Sequence, residues 1–309
     1  MRTQLASRIT CFAVWGALIA HVAIAMAEEP SRSKAGTLEV GAPIESEGVI
    51  EHRLRSSFQA EETRLQVLLP EPLPATPSVV YLLPVEPRDE HRYGDPIEEA
   101  KRRGLASRHG VIVVSMTFSA LPWYADHPED EKSQQEQYLL QVADWMAKRY
   151  VRSDDPQRHL LLGFSKSGWG AWTLMLRNPE RFGRALAWDA PMMMQDHTKY
   201  GAKPIFGTLE RFREYEVRSL LTASRWRKQP AAESPRLILT GYGNFRNEHV
   251  AMHELLVKSN TPHVYVDGPQ RKHTWHTGWV AEGFELLLTR AAIQGKESPK
   301  PLKMPAVRK

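Results

Sequence analysis

One stretch of the chain has the residue types and spacing that nucleophilic chemistry needs: His159-Leu160-Leu161-Leu162-Gly163-Phe164-Ser165-Lys166-Ser167-Gly168-Trp169-Gly170-Ala171. The apolar run reads as a buried strand, the Gly/Ser cluster as a tight turn, and the remainder as the start of a helix. A serine on such a strand-to-helix turn is presented at the end of a sheet, the context a nucleophile elbow demands. The turn is strained, so the positions two before and two after the nucleophile must be small. Ser165 has Gly163 and Ser167 there, in a G-x-S-x-S pattern; Ser167 would have Ser165 and the bulky Trp169. Ser165 is therefore the candidate nucleophile. The backbone N–H of Lys166, at the helix start, is a candidate oxyanion donor. A second donor is expected from the loop Leu83-Pro84-Val85-Glu86-Pro87. Proline lacks an N–H, which leaves Val85 or Glu86.

A serine hydroxyl needs a base, and the base an orienting acid, in the chain order serine, acid, histidine. The loop after the last predicted strand carries His273 and His276 as candidate bases. Two acids compete. Glu248 is the first carboxylate after strand 236–242 and lies one helix and one strand before His273. Asp189, in Ala187-Trp188-Asp189-Ala190-Pro191, ends an earlier strand. The spacing favours Glu248, with Asp189 as the alternative acid. The plainer roles are a helix N-terminal carboxylate for Glu248 and a turn residue for Asp189. His249 and His253 stand four apart on one helix face, a spacing that can hold zinc. They lack the H-E-x-x-H order and an evident third ligand, so no metal and no cofactor is expected. Trp123, Tyr124 and Trp169 are candidates for lining a substrate cleft, with core packing the competing role.

The elements that must position these residues alternate. Strands are predicted over 49–58, 63–69, 78–84, 111–118, 159–164, 184–189, 236–242 and 263–267, with helices over 97–107, 133–150, 168–177, 248–259 and 278–292. Unbroken runs such as Val79-Val80-Tyr81-Leu82-Leu83 and Val111-Ile112-Val113-Val114 suit strands buried on both faces. The pattern predicts an α/β fold: a doubly wound, mostly parallel sheet. Two early strands with no helix between them predict an antiparallel edge. The irregular stretch 191–234 is a possible small cap over the strand ends, where ligands bind in such sheets.

Several of these segments resemble the esterase branch of the α/β-hydrolases that includes esterase D-type enzymes, feruloyl and acetylxylan esterases, and mycolyltransferases. Pro122-Trp123-Tyr124-Ala125-Asp126 looks like its S-W-Y-x-D segment, Gln137-Tyr138-Leu139-Leu140 the start of its next helix, and 163–168 its elbow. Lys272-His273-Thr274-Trp275 looks like its G-H-x-W segment, which selects His273 over His276, and Asn247-Glu248 is similar to the N-E of the mycolyltransferases. Pro84-Val85-Glu86 stands where that family has H-G-x, and Asn244 where many relatives carry the acid. The resemblance covers 49–292 and implies a serine esterase that forms an acyl-enzyme without a cofactor. A non-catalytic binding protein on the same fold and a metal-dependent hydrolase using His249 and His253 are the competing readings.

Composition bounds the rest. The 309 residues are 42% hydrophobic and 25% charged, ordinary for a globular chain. Arg2 and Arg8, an apolar run to Ala25 and the Ala25-Met26-Ala27 site read as a signal peptide over 1–27. The mature chain is then expected to be secreted or periplasmic, with no stable membrane anchor after cleavage. The only cysteine, Cys11, leaves with that segment. Residues 28–48 read as an N-terminal extension, 49–294 as the α/β-hydrolase domain, and 295–309 as a basic, disordered tail. The net charge of +5 resides in the leader and the tail. The body is near neutral, which gives no footprint for nucleic acid. The expected partner is a small-molecule or polysaccharide-linked ester. The sequence does not set the oligomeric state.

Overall fold

The unbroken apolar runs become the centre of one sheet. The computed structural model describes residues 36–223, 226 and 235–289. The expected signal peptide, part of the N-terminal extension, part of the possible cap and the basic tail lie outside the described residues. Ten strands form the sheet: β1 (Leu38–Val40), β2 (Ile44–Ser46), β3 (Val49–Ser56), β4 (Thr63–Leu68), β5 (Ser78–Leu83), β6 (Val111–Met116), β7 (His159–Phe164), β8 (Arg184–Trp188), β9 (Leu237–Tyr242) and β10 (His263–Gln270). Their order is β1-β3-β4-β6-β5-β7-β8-β9-β10, with β2 paired to β3. From β6 to β10 every pairing is parallel; β1 to β4 form the antiparallel edge, joined to β6 through β4. The register ends β7 and β8 level with each other. Phe164 pairs with Trp188 on their last rung, so the next residue of each strand, Ser165 and Asp189, leaves the sheet beside the other.

Helices cover both faces, as two-sided burial of the strands requires. On one face α1 (Pro96–Arg102), α2 (Leu105–His109) and α9 (Trp279–Leu288) pack through Ile97, Leu105, Trp279 and Phe284 against Val80, Val113 and Leu162. On the other, α3 (Gln135–Met146), α4 (Lys166–Arg177) and α8 (Arg246–Lys258) pack through Val142, Leu174 and Met252 against Tyr81, Ile112 and Leu161. The single helix expected over 97–107 is two, because Gly104 adopts a left-handed conformation (φ 60°) between α1 and α2. Among the described residues no helix is long and apolar enough to cross a membrane.

The stretch expected as a cap folds into α5 (Lys203–Phe206), α6 (Leu209–Arg213) and α7 (Val217–Thr222). Its apolar residues Phe206 and Phe212 pack on Trp169 of α4, so this helical part covers the outer side of that helix.

A buried ion pair ties α3 to α4 and to this insertion. Glu136, 3% exposed, accepts from Arg177 Nε at 2.9 Å and from Asn178 Nδ2 at 2.7 Å. The Arg177 guanidinium lies 4.0 Å over the Tyr215 ring and donates to Glu214 O at 3.0 Å. Removing one member leaves the other charge buried and unpaired, which costs about 3–5 kcal/mol. Glu136→Ala should therefore lower the urea midpoint by that equivalent, with the slope of the unfolding transition unchanged.

Candidate active site

The strand-to-helix turn at the end of β7 is as tight as its sequence requires. Ser165 has φ 53° and ψ −136°, a conformation a non-glycine residue holds only under constraint. A Cβ on Gly163 would stand 2.3 Å from the Ser167 carbonyl oxygen, so only glycine fits there. Ser167 is fully buried, and its Oγ accepts from Phe164 N at 3.0 Å and donates to Phe164 O at 2.9 Å. It laces the turn and is out of reach of a substrate. The backbone N–H of Ser165 donates to both Trp188 O and Asp189 O at 3.1 Å. Lys166 is the first residue of α4, where a backbone N–H has no carbonyl one turn back to bond. Burial pushes the Lys166 ammonium down to about 8, against the opposing pull of Glu86.

His273 lies in the loop after β10, and its Nδ1 is 2.5 Å from Asp189 Oδ2. A carboxylate accepts, so Nδ1 carries the proton and Nε2 is left free to accept one. Asp189 is fully buried, with φ 43°. It also accepts from Asn244 N at 2.9 Å and Phe245 N at 2.7 Å. Burial pushes its carboxyl up, but the His273 bond and the N–H groups of residues 243–245 outweigh it and hold the carboxyl below its ordinary value. Gly243 permits this approach, since a Cβ there would meet Asp189 Oδ2 at 2.7 Å. Four rings enclose the imidazole: Phe164 at 4.9 Å between centroids, Tyr93 at 5.7 Å, Phe245 at 5.9 Å and Trp188 at 6.4 Å.

The expectation that Glu248 orients His273 is not met. Helix α8 already begins at Arg246, and from its first turn Glu248 accepts the Met193 N–H at 2.9 Å. Burial pushes the Glu248 carboxyl up. The loop after β9 brings backbone N–H groups to the site, and Asp189, the alternative acid, brings the carboxylate. His276 turns away: its Nδ1 lies 3.3 Å from Glu99 Oε2 on α1. The two helix histidines separate as well. His249 Nε2 accepts the Ala190 N–H, whereas His253 Nδ1 meets His263 Nε2 at 2.7 Å.

The loop after β5 is anchored from two sides. Tyr124 donates its hydroxyl to Pro84 O at 2.5 Å, and buried Glu86 accepts the Tyr93 N–H at 3.1 Å while Arg92 Nε stands 3.3 Å away. Val85 is buried beside it. Trp123, Tyr124 and Trp169 do not line a cleft, contrary to expectation; all three are 0% exposed. Trp123 meets Trp169 edge to face, and Trp169 stacks on Phe212. Phe206 of the insertion covers Trp123 and Trp169, Tyr124 meets Phe118 edge to face, and nothing in the local sequence of the tryptophans announces that cover. The rings beside His273 on the open side are instead Phe245 and, against it at 5.7 Å, the 51% exposed Tyr200. Neither carries a sequence signal; each is placed by a loop from a different element.

No family model matches the chain, and no curated protein matches it in sequence. Solved structures do. The fluorophosphonate-binding serine hydrolase F of Staphylococcus aureus superposes with a TM-score of 0.63 at 16% identity, over 81% of this chain and 100% of its own. An S-formylglutathione hydrolase from Agrobacterium tumefaciens gives 0.60 at 18% identity, over 80% and 95%. A ferulic acid esterase gives 0.56 at 17% identity, over 77% and 96%. With the sheet order, the parallel core and the strand-to-helix elbow, these likenesses identify the architecture as the α/β-hydrolase fold.

Proposed function

We propose that the chain is an exported serine hydrolase that cleaves carboxylic esters through an acyl-enzyme on Ser165, with His273 as base and Asp189 as orienting acid. One observation carries the reading: the imidazole of His273 is hydrogen-bonded to a buried carboxylate that leaves the sheet beside Ser165. Ser165 Oγ attacks the acyl carbonyl and gives its proton to His273 Nε2. The Asp189 carboxylate stabilises the imidazolium that forms. His273 returns the proton to the leaving alcohol, then takes one from the water that attacks the acyl carbon and hands it to Ser165 Oγ as the acid leaves. The N–H of Lys166, with that of Val85 or Glu86, binds the oxyanion. The names of the neighbours, a serine hydrolase and a ferulic acid esterase among them, support ester hydrolysis. Export rests on the residues of the N-terminal segment alone.

Fluorophosphonate labelling with p-nitrophenyl acetate turnover tests the nucleophile. Ser165→Ala should lose the label and about 10³-fold or more of the turnover. Ser167→Ala should keep the label and most of the turnover per folded molecule. It should also lower stability by about 1–3 kcal/mol, because the buried Phe164 N–H and C=O lose their side-chain partner. Full turnover in Ser165→Ala would refute the assignment.

The two carboxylates predict opposite behaviour. Asp189→Asn should lower kcat by about 10³- to 10⁴-fold, since an amide cannot hold the required imidazole tautomer or stabilise its cation. Glu248→Gln retains an acceptor for the Met193 N–H and should change kcat by less than about twofold. Steady-state kinetics on the two purified variants separate them, and the reverse ranking would restore Glu248 as the acid.

A further inference from the structure

One buried titratable side chain takes no part in that chemistry and yet grips its frame. His249, on α8, is 1% exposed. Its Nε2 lies 2.8 Å from the backbone N of Ala190 and must accept from it. An accepting Nε2 fixes the neutral ring with its proton on Nδ1. That Nδ1 is buried and finds no hydrogen-bond partner among the described residues. Burial brings the ring down to about 4, while the charges of Asp189 and Asp267 and the Ala190 bond pull the other way. The ring is thus neutral, and an acceptor, throughout the neutral pH range.

What it accepts from is the peptide that follows Asp189. The carbonyl of that same unit, Asp189 O, accepts the Ser165 N–H at 3.1 Å. A peptide unit is planar and stiff, so gripping it at both ends fixes the direction in which Asp189 leaves β8. Asp189 needs such a grip, because its φ of 43° is one that side-chain-bearing residues adopt only when the surroundings enforce it. We propose that His249 is a positioning residue: by holding the Asp189–Ala190 peptide through Nε2, it aims the Asp189 carboxylate at His273 Nδ1. The inference rests on the Ser165–His273–Asp189 reading for its catalytic consequence, but not for its geometry. A histidine that only filled space would be replaceable by any apolar side chain of similar size. One that supplies an acceptor is replaceable only by another acceptor at the same place.

The test compares His249→Gln, whose Oε1 falls near the position of Nε2, with His249→Leu, which fills space without an acceptor, and His249→Asn, whose acceptor falls near Nδ1. Two readouts are taken on the folded full-length chain: p-nitrophenyl acetate kinetics, and the proton resonance of His273 Nδ1, which a short bond to a carboxylate shifts far downfield. His249→Leu and His249→Asn are expected to lower kcat by about 10- to 100-fold, the scale of a misplaced catalytic group. KM should stay within about twofold and the downfield resonance should be lost. His249→Gln is expected to restore both. If His249→Leu does not fold, the comparison of Gln with Asn decides. A His249→Leu variant that melts earlier but keeps the resonance and kcat would overturn the proposal, and so would equal behaviour of Gln and Asn. If the resonance follows the acceptor but no variant or wild-type chain turns over an ester, the positioning role stands and the esterase reading fails.

Discussion

The site depends on a single backbone contact between two adjacent strand ends. Ser165 N–H reaches the carbonyls of Trp188 and Asp189 at once, so the elbow of β7 is tied to the end of β8. Both residues beyond the tie are left-handed, Ser165 at φ 53° and Asp189 at φ 43°. Each costs on the order of 1–3 kcal/mol, and neither conformation would persist in an isolated segment. The register makes the tie possible by ending β7 and β8 level. Gly163 and Ser167 close the turn on one side, while His249 and the loop after β9 hold the other. Strain at the serine exposes its side chain, and strain at the aspartate swings its carboxylate toward the histidine loop.

A carboxylate with no exposed surface would ordinarily surrender its charge, because burial penalises the ionised form heavily. Asp189 keeps it because donors converge on it. Nδ1 of His273 approaches Oδ2, the Phe245 N–H approaches Oδ1, and the Asn244 N–H is shared between the two. The loop after β9 therefore matters as much as if it carried the acid itself. It supplies no side-chain charge; it supplies dipoles that stabilise a charge from the neighbouring strand, and a glycine that lets the backbone come close. Enclosure of the imidazole by Phe164, Tyr93, Phe245 and Trp188 adds to this. In a poorly solvated site the attraction between the Asp189 carboxylate and the Nδ1–H of His273 is stronger than it would be in water.

The parallel half of the sheet was legible because its strands are buried on both faces, and only continuous apolar runs satisfy that. The elbow was legible too, since its steric demand falls on single positions, Gly163 and Ser167. The edge was less so: β1 and β2 are three residues each, and Ile44-Glu45-Ser46 is exposed throughout. The choice between Asp189 and Glu248 was not legible from order along the chain. It is decided by where β8 ends relative to β7 and by the left-handed turn at Asp189, neither of which leaves a local mark. Trp123, Tyr124 and Trp169 misled for a related reason. An aromatic reads the same in a cleft and in a core, and the rings that cover Trp123 and Trp169 come from 37 to 83 positions away along the chain.

That cover gives the described helices of the insertion a packing role. In α4, all residues from Ser167 to Leu176 are buried. A helix that meets solvent on one side shows an apolar stripe and a polar face; this one has no polar face in its middle. The sheet covers one side, and on the other Phe206 and Phe212 of the insertion close over Trp169, with Phe206 meeting Phe212 edge to face and Tyr215 at a tilt. Arg177 fastens the far end of the helix by reaching Glu136 on α3 and Glu214 O in the insertion. The near end is the elbow itself. A helix clamped on both sides and at its C-terminus can neither rotate nor slide, so the strain at Ser165 cannot relax by moving α4. The described helices of the insertion thereby bear on Ser165 through α4, the helix that follows it.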